Sequence, residues 1–441
     1  MTSIARLIAV LGVCSMAVPA GAEVPRPQPT KAGLDPAKLP ALRTELQKFV
    51  DDGQIAGAVT VIGRRGHVGS LEVVGFRDVE AKAPMKADTV FRLASMTKIA
   101  TSVAVMMLDE AGKLSVDDPV EKHLPEFRGQ KLLQKLPAKP GEKPGDEAFK
   151  LIEPARKITI KDLMTHTSGM HCQNPPGFGD LGRKKDRPLA DAVIAFSQQP
   201  LDTQPGTVWK YCGTAFETVG RVVEVASGQS YEAFLNERVF RPLKMKDTAF
   251  RLTPAQRQRL AVNYKRDPEA SAAKIVRSES QGPGPESKIV YTSPGGGLYS
   301  TAADYAALMQ MLLDKGKGPG GRPLLKPETV AKMTSVHFKP PKPGDKVGFS
   351  PGLGMGLGVQ VVMTPTEVTE ALSPGSFGHG GAHGTQAWAD PVTGAYYILM
   401  IQRQDFGNGD QSDVRRALQK LGAAALTPST AALDGAAAPR Q

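Results

Sequence analysis

Ser95 and Lys98 stand three residues apart in Phe91-Arg92-Leu93-Ala94-Ser95-Met96-Thr97-Lys98, and their types and spacing suit acyl transfer. A hydroxyl that attacks a carbonyl needs a neighbour to take its proton. Where a helix begins, residues three apart share a face, so an amine at position 98 reaches a hydroxyl at position 95. The helix start adds unpaired N–H groups and a positive dipole end, both favouring the anionic oxygen formed on attack. By itself S-x-x-K is unspecific, arising about once by chance in a chain this long. The plain alternative has Ser95 capping a helix and Lys98 solvated.

The same chemistry requires a second proton-transfer group and a second oxyanion donor. Tyr211, in Pro205-Gly206-Thr207-Val208-Trp209-Lys210-Tyr211-Cys212-Gly213, lies on a turn before a helix, where its phenol can exchange a proton with Ser95. Its plain alternative is a packed tyrosine with a satisfied hydroxyl. Phe377-Gly378-His379-Gly380-Gly381-Ala382-His383-Gly384 leads into the strand with Trp388. Its glycines, Gly380 and Gly381 among them, let a substrate lie along the strand, with the Ala382 N–H as oxyanion donor and His379 at the cleft's edge. His379 and His383 are a weak metal pair, since no H-E-x-x-H or C-x-x-C supports them. No metal or organic cofactor is expected.

These residues need elements to position them. Residues 36–52 read as an amphipathic helix. Ala56–Gly63 and Val68–Gly75 read as strands joined in a hairpin by Arg64-Arg65-Gly66-His67. A helix over 95–111 carries Ile99, Val103, Met106 and Met107 at helical spacing and stops at Gly112. Residues 115–155 and 264–295 read as mostly irregular, the first with short helices. Ile160–Thr165 starts a helix, and 215–226, 231–240 and 301–313 are helical. Gly316–Gly321 lacks the order of a phosphate loop and reads as a turn. Leu357–Val362, Thr385–Ala389 and Tyr396–Gln402 read as strands, the last two joined across Asp390–Gly394. A helix over 411–421 and an Ala/Pro-rich tail close the chain. A sheet built from both chain ends beside a helical middle leaves a cleft between them for substrate.

Composition narrows the class. The 441 residues are 41% hydrophobic and 22% charged, with 46 Gly and 36 Pro, which fits a globular protein and excludes disordered and fibrous ones. Residues 1–22 read as a signal peptide: Arg6, an apolar run from Leu7 to Val18 too short to span a bilayer, and Ala20-Gly21-Ala22 before Glu23. The expected location is periplasmic or secreted, without stable membrane insertion. The net charge is +11, partly in Lys131–Lys161 and Arg183-Lys184-Lys185. With no nucleic-acid motif or aromatic row beside them, these read as solvated loops, and no nucleic acid is expected as partner. Once Cys14 leaves with the signal, Cys172 and Cys212 remain. An oxidising compartment permits a disulfide between them, but the reading prefers two free buried thiols. The loops 171–190 and 264–292 are expected to line the cleft.

The order of S-x-x-K, then Tyr211 in P-G-T-x-W-x-Y, then His379-x-Gly381 before the strand with Trp388, resembles the serine β-lactamase and penicillin-binding-protein superfamily, in its class C-like branch. Leu163-Met164-Thr165-His166-Thr167-Ser168-Gly169, Gly112–Pro119 and Pro294–Ser300 match that branch too, and the similarity covers about residues 33–422. The resemblance implies an α/β (mixed α+β) fold: a mostly antiparallel sheet flanked by helices, plus an all-helical lobe. The sheet lobe would span about 34–94 and 293–422 and the helical lobe about 95–292, after a Pro-rich leader over 23–33 and before a disordered tail over 423–441. It also implies an acylated Ser95, with Lys98 and Tyr211 sharing the proton work. Two departures bear on substrate. The family's Tyr-x-Asn is Tyr211-Cys212-Gly213 here, removing the amide that β-lactam-hydrolysing members use, and the Lys-Thr-Gly is His379-Gly380-Gly381, removing a cation for a carboxylate. Both make the chain more similar to the family VIII-type esterases. The expectation is an exported serine hydrolase acting on small esters. The alternatives are a β-lactamase or D-amino-acid peptidase near the cell wall, or a non-catalytic protein that captures an acyl ligand or wall fragment.

Overall fold

The computed structural model describes residues 24–137, 148–173, 186–270, 274–282, 289–290, 292–340, 351–404 and 411–428. The signal reading, Arg183–Lys185 and much of the two cleft loops lie outside these residues. Eight antiparallel strands form the main sheet: β1 (Gly57–Arg64), β2 (His67–Asp78), β3 (Ala83–Pro84), β4 (Leu353–Met355), β5 (Gln360–Val362), β6 (Phe377–Gly380), β7 (Gln386–Asp390) and β8 (Ala395–Met400). They run in the order β4-β5-β6-β7-β8-β1-β2-β3. The two chain ends therefore meet in mid-sheet, where Val59 pairs with Met400 and Arg64 with Ala395. The β1–β2 hairpin turns on Arg65 and Gly66, both at positive φ, which is the geometry that matches strand twist and that glycine adopts freely.

Every residue of β1 and β8 is buried because both faces of the sheet are covered. On one face α1 (Leu39–Asp51) and the C-terminal helix Asp413–Ala425 pack with Ala58, Ile62, Trp388, Tyr397 and Leu399. On the other, Val59, Val61, Ala387, Ile398 and Met400 join the larger core around α2 (Thr97–Glu110) and the helix Ala302–Leu313. This two-sided burial explains the unbroken apolar runs in the sequence of the end strands.

Several elements depart from the sequence expectations. Residues 94–96 form a 3-10 turn, with the α-helix beginning at Thr97, so Ser95 precedes α2 instead of opening it. Residues Thr97–Leu108 are buried all round, and such a helix gives no polar edge to mark its start. A hairpin of Leu132–Lys135 with Phe149–Ile152 interrupts the region read as loop and short helices. A second, Tyr264–Arg266 with Ile275–Arg277, lies in the segment read as irregular. The strand expected from Leu357 begins at Gln360. The C-terminal helix continues to Ala425, Leu426 bridges to Leu34, and Thr427 N–H donates to Gly33 O at 2.9 Å. Residues 423–428 are therefore ordered structure docked on the start of the domain, in place of the tail expected there.

Candidate active site

Four anchors fix the turn that carries Ser95. The Leu93 N–H donates to Leu298 O at 2.9 Å, Thr97 Oγ1 donates to Ala94 O at 2.7 Å, Leu298 N–H donates to Thr97 Oγ1 at 3.1 Å, and Tyr305 OH donates to Met96 O at 2.6 Å. Ala94 takes φ +46°, a left-handed conformation that is uncommon outside glycine and concentrates at functional sites. Ser95 is left half-buried on this turn.

Lys98, 2% exposed, reaches back from the first turn of α2. Its Nζ lies 3.2 Å from Ser95 Oγ and donates to Gly295 O at 2.6 Å. Tyr211 comes from the other side, its OH donating to Ser95 Oγ at 2.6 Å. The Lys98 Nζ also sits 4.8 Å from the centre of the Tyr211 ring and 5.2 Å from that of Phe216. Ser95, Lys98 and Tyr211 thus meet at one oxygen, as their types and order predict.

The glycine strand is placed differently from expectation. His379 pairs with Ala387 across β6 and β7, is 3% exposed, and its Nδ1 lies 2.6 Å from Gly380 O. It is a buried strand residue, not one at the cleft's edge. Its ring still approaches that of Tyr211, with centres 6.2 Å apart. Beyond β6 the chain turns back over residues 381–384. A Cβ on Gly381 would fall 2.3 Å from Leu93 O, and Thr385 Oγ1 donates to that same oxygen at 3.2 Å. The turn is thereby pressed on the residue two before Ser95, and Ala382 stands exposed at its tip. A cavity of 140 Å³ bordered by Arg92, Ser293, Gly296, Tyr299 and His383 adjoins this region. A larger depression of 920 Å³, beside the Gly316–Gly321 turn, contains none of the three groups that meet at Ser95. Among the described residues no three His, Cys, Asp or Glu converge as metal ligands.

The segment holding Tyr211 is tied down on both sides. Cys172 and Cys212 form a disulfide, their Cα atoms 4.8 Å apart, correcting the expectation of free thiols. Sequence separation could not show that the Thr165–Gly169 turn folds back against Tyr211. That turn follows a short helix, Ile160–Met164, capped by Thr159 and Asp162 in a reciprocal box. Arg156 holds the same Asp162 carboxylate through two bonds, at 2.5 and 2.8 Å. The segment Pro205–Gly213 then attaches to the turn: Gly206 N–H donates to Thr167 O at 2.7 Å and Lys210 N–H to His166 O at 2.9 Å. Gly295, Phe216 and His166 thus border the reacting groups, although none of them stands out as a site residue in the sequence. Only the Leu163–Gly169 and Pro294–Ser300 motifs pointed to two of them.

A Beta-lactamase family model matches residues 42–421. Esterase EstB of Burkholderia gladioli is 29% identical over 404 residues, covering 84% of this chain and 92% of that protein. Lovastatin esterase of Penicillium rubens is 30% identical over 353 residues, covering 74% and 83%. Among solved structures, EstCE1, described as a hydrolase with promiscuous acyltransferase activity, superposes with a TM-score of 0.68 at 25% identity, over 88% of this chain and 98% of its own.

Proposed function

The chain belongs to the β-lactamase family and is a serine hydrolase; from that premise we propose that it is an exported carboxylesterase that cleaves small esters through an acyl-Ser95 intermediate. The observation that carries this reading is the convergence of Lys98 Nζ and Tyr211 OH on Ser95 Oγ, at 3.2 and 2.6 Å. Ser95 Oγ attacks the ester carbonyl carbon while its proton enters the Lys98–Tyr211 pair. The N–H groups of Ser95 and Ala382 receive the oxyanion. The intermediate collapses with cleavage of the alkoxy bond, and the departing alcohol takes the proton through Tyr211. Water then attacks the acyl carbon, gives its proton to the same pair, and releases the carboxylic acid as Ser95 regains its hydrogen.

Two substitutions in the motifs support an ester over a β-lactam. Gly213 carries no amide for an acylamino group, and His379-Gly380-Gly381 offers no lysine for a carboxylate. The names of EstB and lovastatin esterase agree with this choice. The signal-like N-terminus and the Cys172–Cys212 bridge support export, since disulfides persist in oxidising compartments.

The test is turnover by the purified mature protein of p-nitrophenyl butyrate, nitrocefin and a D-Ala-D-Ala peptide, with fluorophosphonate labelling and peptide mapping. Faster ester turnover with the label on Ser95 is expected. Equal or faster nitrocefin turnover, label elsewhere, or stable acylation without turnover each overturns the reading. Export is checked separately, by a mature N-terminus at Glu23 in the periplasm or medium.

A further inference from the structure

The Thr165–Gly169 turn takes no part in the chemistry above, yet one of its residues grips the chain on both sides of Tyr211. Lys210 N–H donates to the His166 carbonyl at 2.9 Å, and Cys212 N–H donates to His166 Nδ1 at 3.1 Å. The His166 ring also lies against the phenol, with centres 4.5 Å apart, and against Phe216 at 5.2 Å. His166 is 1% exposed and takes φ +59°, a left-handed conformation that His, Asn and Asp enter more readily than other side chains.

A histidine nitrogen accepts a hydrogen bond only when it carries no proton. Burial first, then the charge of Lys98 and the nearby His379, hold the His166 pKa well below its usual value, so the ring is neutral and Nδ1 is free to accept. Nε2 has no hydrogen-bond partner among the described residues. The bond from Cys212 is therefore the ring's polar tie, and it points at the neighbour of the proton-transfer residue. Tyr211 itself is 42% exposed, and the His166 ring is the nearest of the rings packed on it.

We propose that His166 is a positioning residue: by accepting the N–H groups on either side of Tyr211, it sets the approach of the phenol to Ser95 Oγ. The inference deepens the acyl-serine reading and rests on it. Misplacing a catalytic group by about 1 Å costs about 10²-fold in rate, so the expected loss falls on kcat and on Ser95 acylation while KM stays nearly unchanged.

His166→Asn and His166→Gly separate the bond from the backbone, because both tolerate the left-handed φ and only Asn offers an acceptor near Nδ1. The His166→Gly protein is expected to lose about 10²-fold in kcat and in fluorophosphonate labelling rate, and His166→Asn to stay within about tenfold of the parent. A His166→Gly kcat within about tenfold of the parent, a His166→Asn kcat more than about tenfold down, or a loss confined to KM overturns the proposal. If His166→Gly does not fold, the His166→Asn result decides by the same threshold. Failure of the parent to label at Ser95 defeats the acyl-serine reading instead, which keeps the two ideas apart.

Discussion

Of the groups that meet at Ser95, Lys98 comes from the next turn of the same segment, whereas Tyr211 arrives from 116 residues away. Local spacing sufficed to find the first pair; the tyrosine emerged from its motif. His166 belonged to a quoted motif, but its role depends on a contact 46 residues along the chain, which spacing cannot express. His379 was misplaced because glycine-rich segments read as open, whereas here the strand is covered on both sides. Ser95→Ala is expected to abolish turnover, and retained esterase activity would sink the mechanism. Tyr211→Phe keeps the ring and removes the hydroxyl, so kcat is expected to fall by about 10²–10⁴-fold with the melting temperature unchanged. Activity within a few-fold of the parent would remove Tyr211 from proton transfer.

At the scale of elements, the helix Gly213–Ser227 starts at the residue where β-lactam-hydrolysing relatives, by resemblance, carry Asn. A Cβ added to Gly213 meets nothing within 4 Å, so Gly213→Asn starts its side chain in open space two residues from Tyr211. Nitrocefin turnover is expected to rise while p-nitrophenyl butyrate turnover stays within about threefold; no gain in nitrocefin turnover would show that the missing amide does not limit β-lactam cleavage. Long helices and the end strands were legible because each has an apolar stripe or a buried run. The Leu132–Ile152 hairpin was not, since its strands are largely exposed and carry no alternation. The 3-10 turn at Ser95 escaped for another reason: nothing in the letters of Ala94 announces a positive φ.

At the scale of the whole molecule, three buried groups among the described residues weigh on stability in mild acid. His166 is held neutral, and burial with the charge of Arg92 lowers the His383 pKa to about 4. On unfolding both take up protons below their ordinary value near 6.5, so stability present at neutral pH is lost as pH falls from about 6.5. Asp304 opposes them: burial raises its pKa to about 6, outweighing its bonds from Thr248 and the Asp247 N–H. The folded state therefore gains a proton there as pH falls from about 6 to its ordinary value near 3.8. Two groups that take up protons on unfolding against one that holds its proton in the folded state leave a net loss of stability as pH falls below about 6. The melting temperature is expected to drop from pH 7 to pH 5, and a rise would mean that Asp304 dominates. The joining of the chain ends in one sheet was readable from their strand patterns, but burial of single titratable groups was not.

The Cys172–Cys212 bridge ties the segment that carries Tyr211 to the chain 40 residues before it. Ser95 and Lys98 are neighbours in the chain, held in register by Leu298, Tyr305 and Gly295 without any covalent tie. Tyr211 is secured on a segment whose covalent tie closes a separation of 40 residues, a restriction of the unfolded chain worth about 4 kcal/mol. Reduction is accordingly expected to lower both melting temperature and kcat, with a matching loss in Cys172→Ser; an unchanged reduced enzyme would confine the bridge to a passive role. If reduction does lower kcat, the bridge makes oxidation the step that locks in the phenol beside a nucleophile and amine that need no covalent tie.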